Sequence, residues 1–463
     1  MDTYRLISEQ TKKKLIIVLA CTLVFSSMSA TMFNVALPSI TEELSLTSSQ
    51  ASWIVTSYMI IYALGAVSYG KLADKYTLKN LLTIGLLLFT IGSLVGFFSD
   101  NFAFIILARV MQAMGASVFP ASAMIIPTRY FSPETRGRAL GMTSAGLSLG
   151  VAIGPIIAGM MTTALHWHYL FALSVLPVIF IPFFRAYLDN QAGKDMKLDL
   201  VGAVLLGVTI TCLLLGISTK ELFYFPLVIV FLVLLMLRMK LVEEPFIRLE
   251  LFKNRRYSLI LILFALSSGI GFGLPYLTPL LLAEVNGVNA FISGLIMFPG
   301  ATIAALLAKR GGELADKKGN SFLGYIALSS YFICFFNLSW IVGHSPYLIL
   351  IILAFGYIAQ SFFQMTLANT VSEVLPKSQI GVGMGLFMLT NFVASSIATA
   401  LMGASLSGKL VSHQLNIFQV TNKATVYSNI YIVLSIIVIV MFTIYSVTIS
   451  KSHSYSKMKS KGF

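Results

Sequence analysis

Charge is what this sequence has least of. Only 11% of its residues are Asp, Glu, Lys or Arg, and the acids number 18 in 463 residues. With 57% hydrophobic residues and a mean hydropathy of +0.86, the chain lacks the polar surface that a soluble globule of this length needs. Cysteine is scarce too. Cys21, Cys212 and Cys334 are odd in number and far apart, which excludes a disulfide framework and a CxxC metal or redox pair, so they read as packing residues. No GxxxxGK[ST] segment occurs, and ATP is therefore not expected as an energy source. The apolar stretches hold no paired carboxylates, no His or Cys pair and no nucleophile with a base beside it. Enzyme chemistry, a metal and a cofactor are all unexpected on that ground. No sizeable polar domain accompanies the apolar chain, which disfavours a sensor or receptor.

What is present is a series of apolar blocks about 20 residues long, the length that crosses a bilayer core. Fourteen can be marked, near 15–38, 51–71, 81–98, 102–126, 139–163, 167–185, 200–217, 222–237, 258–283, 289–308, 321–342, 346–371, 381–407 and 429–449. No signal-peptide cleavage pattern follows the first, which reads as a retained helix. The fold class expected is all-α integral membrane. It comprises two six-helix bundles at 1–186 and 258–463, with an extra helix pair and a linker at 187–257 between them.

The formal net charge of +14 invites a nucleic-acid reading, but the distribution of basic residues excludes it. The N-terminus, every second loop from Lys71 onward and the C-terminus carry 28 of the 32 Lys and Arg. The opposite loops carry Lys220, Lys409 and Lys423, and Arg109 lies inside a span. This is the positive-inside asymmetry, which predicts both termini in the cytoplasm and an even number of spans. The basic C-terminal tail is expected along anionic headgroups. Membrane lipids, not nucleic acid, are the large-scale partners. A monomer in a bacterial plasma membrane is expected.

A short segment repeats. After the second block the chain reads GKLADKYTLKN from Gly70 to Asn80, and after the tenth it reads GELADKKGN from Gly312 to Asn320. Both are expected to be cytoplasmic turns. Duplicated halves are how many secondary carriers build a site at the bilayer midplane.

The fifth block contains GMTSAGLSLGVAIGPIIAG, in which Gly141, Gly150, Gly154, Pro155 and Gly159 form G-x8-G-x3-G-P-x2-A-G. Gly150 and Gly154 share a helix face and admit a neighbouring backbone, while Pro155 kinks the helix. The spacing resembles the antiporter motif in the fifth helix of drug exporters of the major facilitator superfamily. FNVALPSI (Phe33 to Ile40), WIVTSYMIIYALGAVSYGKLADKYTLKNLL, ILARVMQAMGASVFPA, LHWHYLF and KLDLVGAVLLG extend the resemblance over essentially the whole chain. It is nearest in kind to the fourteen-helix tetracycline-efflux and multidrug branch of Gram-positive bacteria.

The resemblance implies roles for individual residues. Gly70, Asp74 and Lys79, with Gly312 and Asp316 in the second copy, would form gates. Asp74 would accept hydrogen bonds from a neighbouring helix N-terminus and from Arg136 or Arg138. The family places a glycine near Thr77 and an arginine near Leu78, and this chain departs from it at both. Glu134, Arg136 and Arg138 read equally well as a solvated connector. Arg109 is costly inside a span unless it faces protein or water. Two readings stay open for it: coupling proton entry to transport, as in related exporters, or bonding the backbone of an adjacent helix. Gln112, one turn on, would share its surroundings.

An acid that the family often carries in its first helix, and one that the tetracycline-type pattern carries in its fifth, are missing. The first span has Ser29 and Ala30 where an acid can stand, the fifth has Val151 after its central glycine, and the thirteenth has none. A cationic drug lacks a buried counter-charge and a proton lacks a deep carboxylate. The membrane polar residues are neutral. Asn34, Tyr58, Gln360, Gln364 and Asn391 are the candidates for a substrate cavity, among 34 Phe and 20 Met that suit flat or irregular apolar ligands. The function expected is export of hydrophobic or amphiphilic drugs by alternating access with proton antiport, and hence antibiotic resistance. The alternatives are a lipid or lysolipid translocator and a tetracycline-specific exporter. His166 and His168, flanking Trp167, read as interface anchors.

Overall fold

The computed structural model describes residues 8–131, 133–190, 199–243, 245–247, 249–376, 379–406 and 422–447. Among these the ordered elements are helices, with no strand. Thirteen stretches are long and apolar enough to cross a membrane by length and composition, and the 28-residue second helix completes the fourteen blocks of the sequence. The chain divides into two compact units, Met1–Phe246 and Ile247–Phe463.

The first unit contains α1 (Glu9–Glu43), α2 (Ser48–Lys75), α3 (Leu78–Phe97), α4 (Phe102–Ala116), α5 (Val118–Tyr130), α6 (Pro133–Ala164), α7 (Tyr169–Val175), α8 (Ile181–Tyr187), α9 (Leu200–Thr219) and α10 (Tyr224–Leu241). Side-chain caps set several boundaries. Thr47 and Gln50 form a reciprocal capping box at α2, and Thr77 and Asn101 cap α3 and α4 through their side-chain oxygens. Two sequence blocks are not single helices. The fourth breaks at Ser117, because Pro120 cannot donate to the carbonyl of residue 116. The sixth passes through a 3-10 segment, Leu176–Phe180, where Pro177 and Pro182 interrupt it.

The repeated segments are also less loop-like than the sequence implies. Gly70 and Asp74 lie in the last turns of α2, the link is Tyr76–Thr77, and Lys79 opens α3. In the second unit Gly312 and Asp316 lie inside α12 (Ala290–Lys318), which ends only at Gly319 with φ +90°. Neither LAD segment contains a helix breaker, so each helix runs through it.

The pair α9–α10 belongs to the first unit. Ser49 Oγ donates to Ser218 O (3.0 Å) and Trp53 Nε1 to Ser218 Oγ (3.1 Å), which fixes α9 on α2. At the other end of the pair Asp199 is buried, and its carboxylate takes three donors. Gly202 N (2.9 Å) and Arg238 Nε (3.1 Å) reach Oδ1, and Phe246 N reaches Oδ2 at 3.1 Å. Burial pushes this carboxyl upward, but the bonds from Gly202, Arg238 and Phe246 with the Arg238 charge outweigh it and hold the group below its usual range. One carboxylate thus joins the start of α9, the end of α10 and the segment of chain leaving the unit.

The second unit contains α11 (Arg255–Glu284), α12, α13 (Asn320–Ile341), α14 (Pro346–Val374), α15 (Ile380–Leu406) and α16 (Asn422–Tyr445). Phe264 of α11 stacks on Phe387 of α15 with ring centroids 3.5 Å apart. Further along the same contact Ser395 Oγ donates to Ser268 O (3.4 Å).

Candidate transport site around a buried arginine

Two of the α6 motif glycines, Gly150 and Gly154, lie against α1. A Cβ on Gly150 would collide with the Val24 carbonyl and with Ser27 Oγ of α1, and one on Gly154 would collide with Thr31 Oγ1. Gly146, four residues earlier and not singled out in the sequence, would likewise strike the Ala20 carbonyl. These three glycines make a strip against which α1 lies almost backbone to backbone. Pro155 and Gly159 are buried beyond it. Gly141 is exposed, and a Cβ there would meet nothing within 4 Å, so it takes no part in the contact.

Arg109 sits where four helices of this unit converge, and it is fully buried. Its Nε donates to Ile54 O of α2 (3.1 Å), and Nη1 donates to Ser29 O of α1 (3.4 Å) and to Gln112 Oε1 (2.9 Å). Gln112 Nε2 passes the chain to Ser93 Oγ of α3 (2.8 Å), which donates to Phe89 O (2.7 Å). The two faces of the guanidinium are covered by rings. Its carbon lies 4.2 Å from the Phe33 centroid and 4.1 Å from that of Tyr58, which stacks in turn on Tyr62. No carboxylate takes part among the described residues. Among the described residues, Arg109 is the one buried ionic side chain away from a helix end. Carbonyl oxygens and two aromatic faces stand where a counter-ion would, and a desolvated cation–π contact contributes about 2 kcal/mol. Close glycine packing of α3 on α4, with Gly92 against Gln112 N and Gly115 against Phe89 N, holds the junction together.

Tyr58 therefore belongs to the arginine junction, as does the neighbourhood of Asn34, one residue beyond Phe33 and also fully buried. Neither the Asn34 side chain nor Tyr58 OH nor Arg109 Nη2 has a protein partner among the described residues. In the second unit Gln360, Gln364 and Asn391 are half-buried. Gln360 packs at Gly271 beside Tyr331, whose hydroxyl lies 3.4 Å from Ser267 Oγ. The side chains of Asp74, Arg136 and Asp316 lie outside the described set. Lys79 is half-buried, Arg138 exposed and Gly312 half-buried. Near the end of α2 it is Arg129, absent from the sequence expectations, that reaches a carbonyl, that of Ala73 (3.4 Å).

Helices of this number, length and apolarity, with a built polar junction inside one unit, define a multi-pass membrane transporter fold. A model of the Major Facilitator Superfamily matches residues 19–399, and the chain belongs to that family. It is 27% identical over 417 residues to the riboflavin transporter RibZ of Clostridioides difficile (strain 630), covering 87% of this chain and 90% of that protein. Multidrug resistance protein 3 of Bacillus subtilis (strain 168) is 28% identical over 328 residues, 67% of this chain and 63% of that one. The methylenomycin A resistance protein of the same organism is 28% identical over 296 residues, or 61% and 63% of the two chains. Among solved structures, a peptide transporter POT in complex with sulfate shares the fold, with a TM-score of 0.69 at 14% identity over 94% of this chain and 95% of that one. Family and fold are those of membrane transporters.

Proposed function

We propose that the protein is a secondary active exporter of hydrophobic or amphiphilic small molecules, working by alternating access with proton antiport. In this reading it is a monomer in a bacterial plasma membrane, both termini are cytoplasmic, and the segments around Asp74 and Asp316 serve as gates. The observation that carries the reading is the glycine strip of α6 against α1, since the motif behind it resembles that of drug-exporting relatives. The resistance proteins of Bacillus subtilis support it by name. Half-buried neutral groups such as Gln360, Gln364 and Asn391 suit an uncharged or zwitterionic solute.

The long match to a riboflavin transporter favours a second reading, in which the solute is a flat, hydrogen-bonding heteroaromatic. One experiment separates the readings. Dyes, antibiotics including tetracycline, and riboflavin are presented to a pump-deficient host with and without a proton uncoupler. Efflux of several unrelated amphiphiles that collapses with the uncoupler supports the exporter. Movement of riboflavin alone selects the second reading, and tetracycline alone a specific exporter. An unchanged panel removes the drug-export reading in favour of lipid translocation.

A further inference from the structure

Away from the arginine junction, three loops and helix ends of the first unit bring two histidines into unusual register. His166 and His168 lie between α6 and α7, Glu43 ends α1, and Ser99 and Asp100 follow α3. His168 Nδ1 and His166 Nδ1 face each other at 2.7 Å. Each ring is tied down at its other nitrogen. His168 Nε2 lies 2.9 Å from Ser99 O, with Asp100 Oδ1 at 3.5 Å. His166 Nε2 lies 3.0 Å from Glu43 Oε2, which also accepts from Trp167 Nε1 at 2.7 Å.

The carbonyl partner decides one tautomer. A backbone carbonyl only accepts, so His168 Nε2 carries a hydrogen. His166 Nε2 lies at ion-pair distance from the carboxylate oxygen that accepts from the Trp167 indole. With its hydrogen on Nε2, a neutral His168 turns the lone pair of Nδ1 toward His166 Nδ1 at 2.7 Å, and a cation that replaces any hydrogen between the two nitrogens meets a lone pair from each ring. Imidazoles held at the far nitrogen by a carboxylate or a carbonyl, with converging lone pairs on the near ones, have the arrangement that surrounds metal-ligating histidines. The His168 ring is braced on Trp167, with centroids 3.6 Å apart, and lies near-parallel to His166 at 4.8 Å. Glu43 and the two histidines each offer a ligand atom, all within 4.8 Å of one another.

We propose that His166 and His168 bind one first-row divalent cation, of which Zn2+ is the type, through their Nδ1 atoms. Glu43, Ser99 and Asp100 position the rings. Tetrahedral coordination at Zn–N distances of about 2.0–2.1 Å needs the two nitrogens roughly 3.3 Å apart. The His166 side chain is 44% exposed and Glu43 42% exposed, so a small rotation of His166 opens the pair by that amount and admits the ion from solvent. Water fills the remaining positions. The site is independent of what the protein transports. It ties the end of α1 to the α6–α7 and α3–α4 connections at one end of the unit.

The test uses the full chain without a polyhistidine tag, in detergent, titrated with zinc chloride by calorimetry near pH 7.5. One Zn2+ per chain is expected. His166→Gln and His168→Gln are each expected to weaken binding by more than about tenfold, and His344→Gln to leave it unchanged. Matched thermal midpoints establish that the variants are folded. As a measurement on the wild type alone, Zn2+ is expected to protect the peptide containing His166 and His168 from diethylpyrocarbonate. Absence of saturable binding overturns the proposal. So does binding that survives both substitutions, or unprotected histidines at saturating Zn2+.

Discussion

Arg109 and Gln112 lie one turn apart on α4, and the 2.9 Å bond between Nη1 and Oε1 turns a lone cation into the first link of a chain. Through Gln112 the charge reaches Ser93 on α3, and through Nε and Nη1 it reaches the backbones of α2 and α1. Arg109 thus bonds backbone as one of its two sequence readings requires, and the bonding leaves a coupling role open. Mutations can separate them.

Arg109→Lys keeps the charge but loses the planar five-donor fork. Transport is expected to fall at least tenfold, with a lowered thermal midpoint. Gln112→Leu removes the shorter of the two bonds from Nη1 and the donor to Ser93 Oγ, leaving Nη1 only Ser29 O at 3.4 Å, and is expected to cost about 1–3 kcal/mol. The double variant Arg109→Met, Gln112→Leu removes both partners together, and its stability is expected to recover toward wild type. Transport that recovers with stability in the double variant would assign Arg109 to architecture alone. Transport that stays absent would assign it to coupling.

The glycines of the fifth-span motif are expected to behave unequally. Gly150→Ala meets a backbone carbonyl that cannot move aside, so transport is expected to be lost, with overpacking costing about 1–3 kcal/mol. Gly154→Ala meets mainly the Thr31 hydroxyl, which can rotate, and a partial defect is expected. Gly141→Ala meets nothing and is expected to be neutral or slightly stabilising. Solute efflux and thermal unfolding of the three variants check the order.

Asp199 makes stability pH-dependent in a definite sense. Its carboxyl is held below the usual range in the folded chain, so its contribution is fully present above the ordinary carboxylate pKa of about 4. It is lost as pH falls through the lower folded value. The thermal midpoint of the wild type is expected to drop below about pH 4. Asp199→Asn is expected to start lower at neutral pH and to show a flatter acid limb. Identical acid limbs in the two proteins would show that Asp199 is not the responsible group.

The Trp53–Ser218 bond predicts how α9 is docked. Ser218→Ala leaves the indole N–H without its partner at 3.1 Å. A loss of about 1 kcal/mol is expected, seen as faster maleimide labelling of the buried Cys212. Unchanged labelling would mean that apolar packing alone holds the pair.

Much of the fold is legible in the sequence because membrane helices need both length and apolarity, and both are properties of short windows. The spans and the α6 glycine face follow from such windows. Breaks inside spans are harder to read, since Pro120 acts three residues away from Ser117, where the helix yields, and Pro177 tightens its helix to a 3-10 segment without ending the span. The arginine junction is half legible. Arg109 and Gln112 stand out as polar residues in an apolar run, but Ser29, Ile54 and Ser93 contribute through backbone or an ordinary hydroxyl, which leave no mark in composition. Asp199 depends on contacts across 39 and 47 residues and the histidine pair on contacts across 69 and 123, distances over which no periodicity carries information.

The Arg109 junction is also an electrical element. A positive charge balanced by dipoles and rings, with no carboxylate bonded to it among the described residues, remains a full net charge as seen by the membrane field. Any movement of these four helices along the membrane normal carries that charge with them. Complete transfer of one charge is worth about 2.3 kcal/mol per 100 mV, so even a fractional displacement makes the equilibrium between conformations depend on voltage. A potential across the membrane that holds the protein then acts on it through a fully buried side chain.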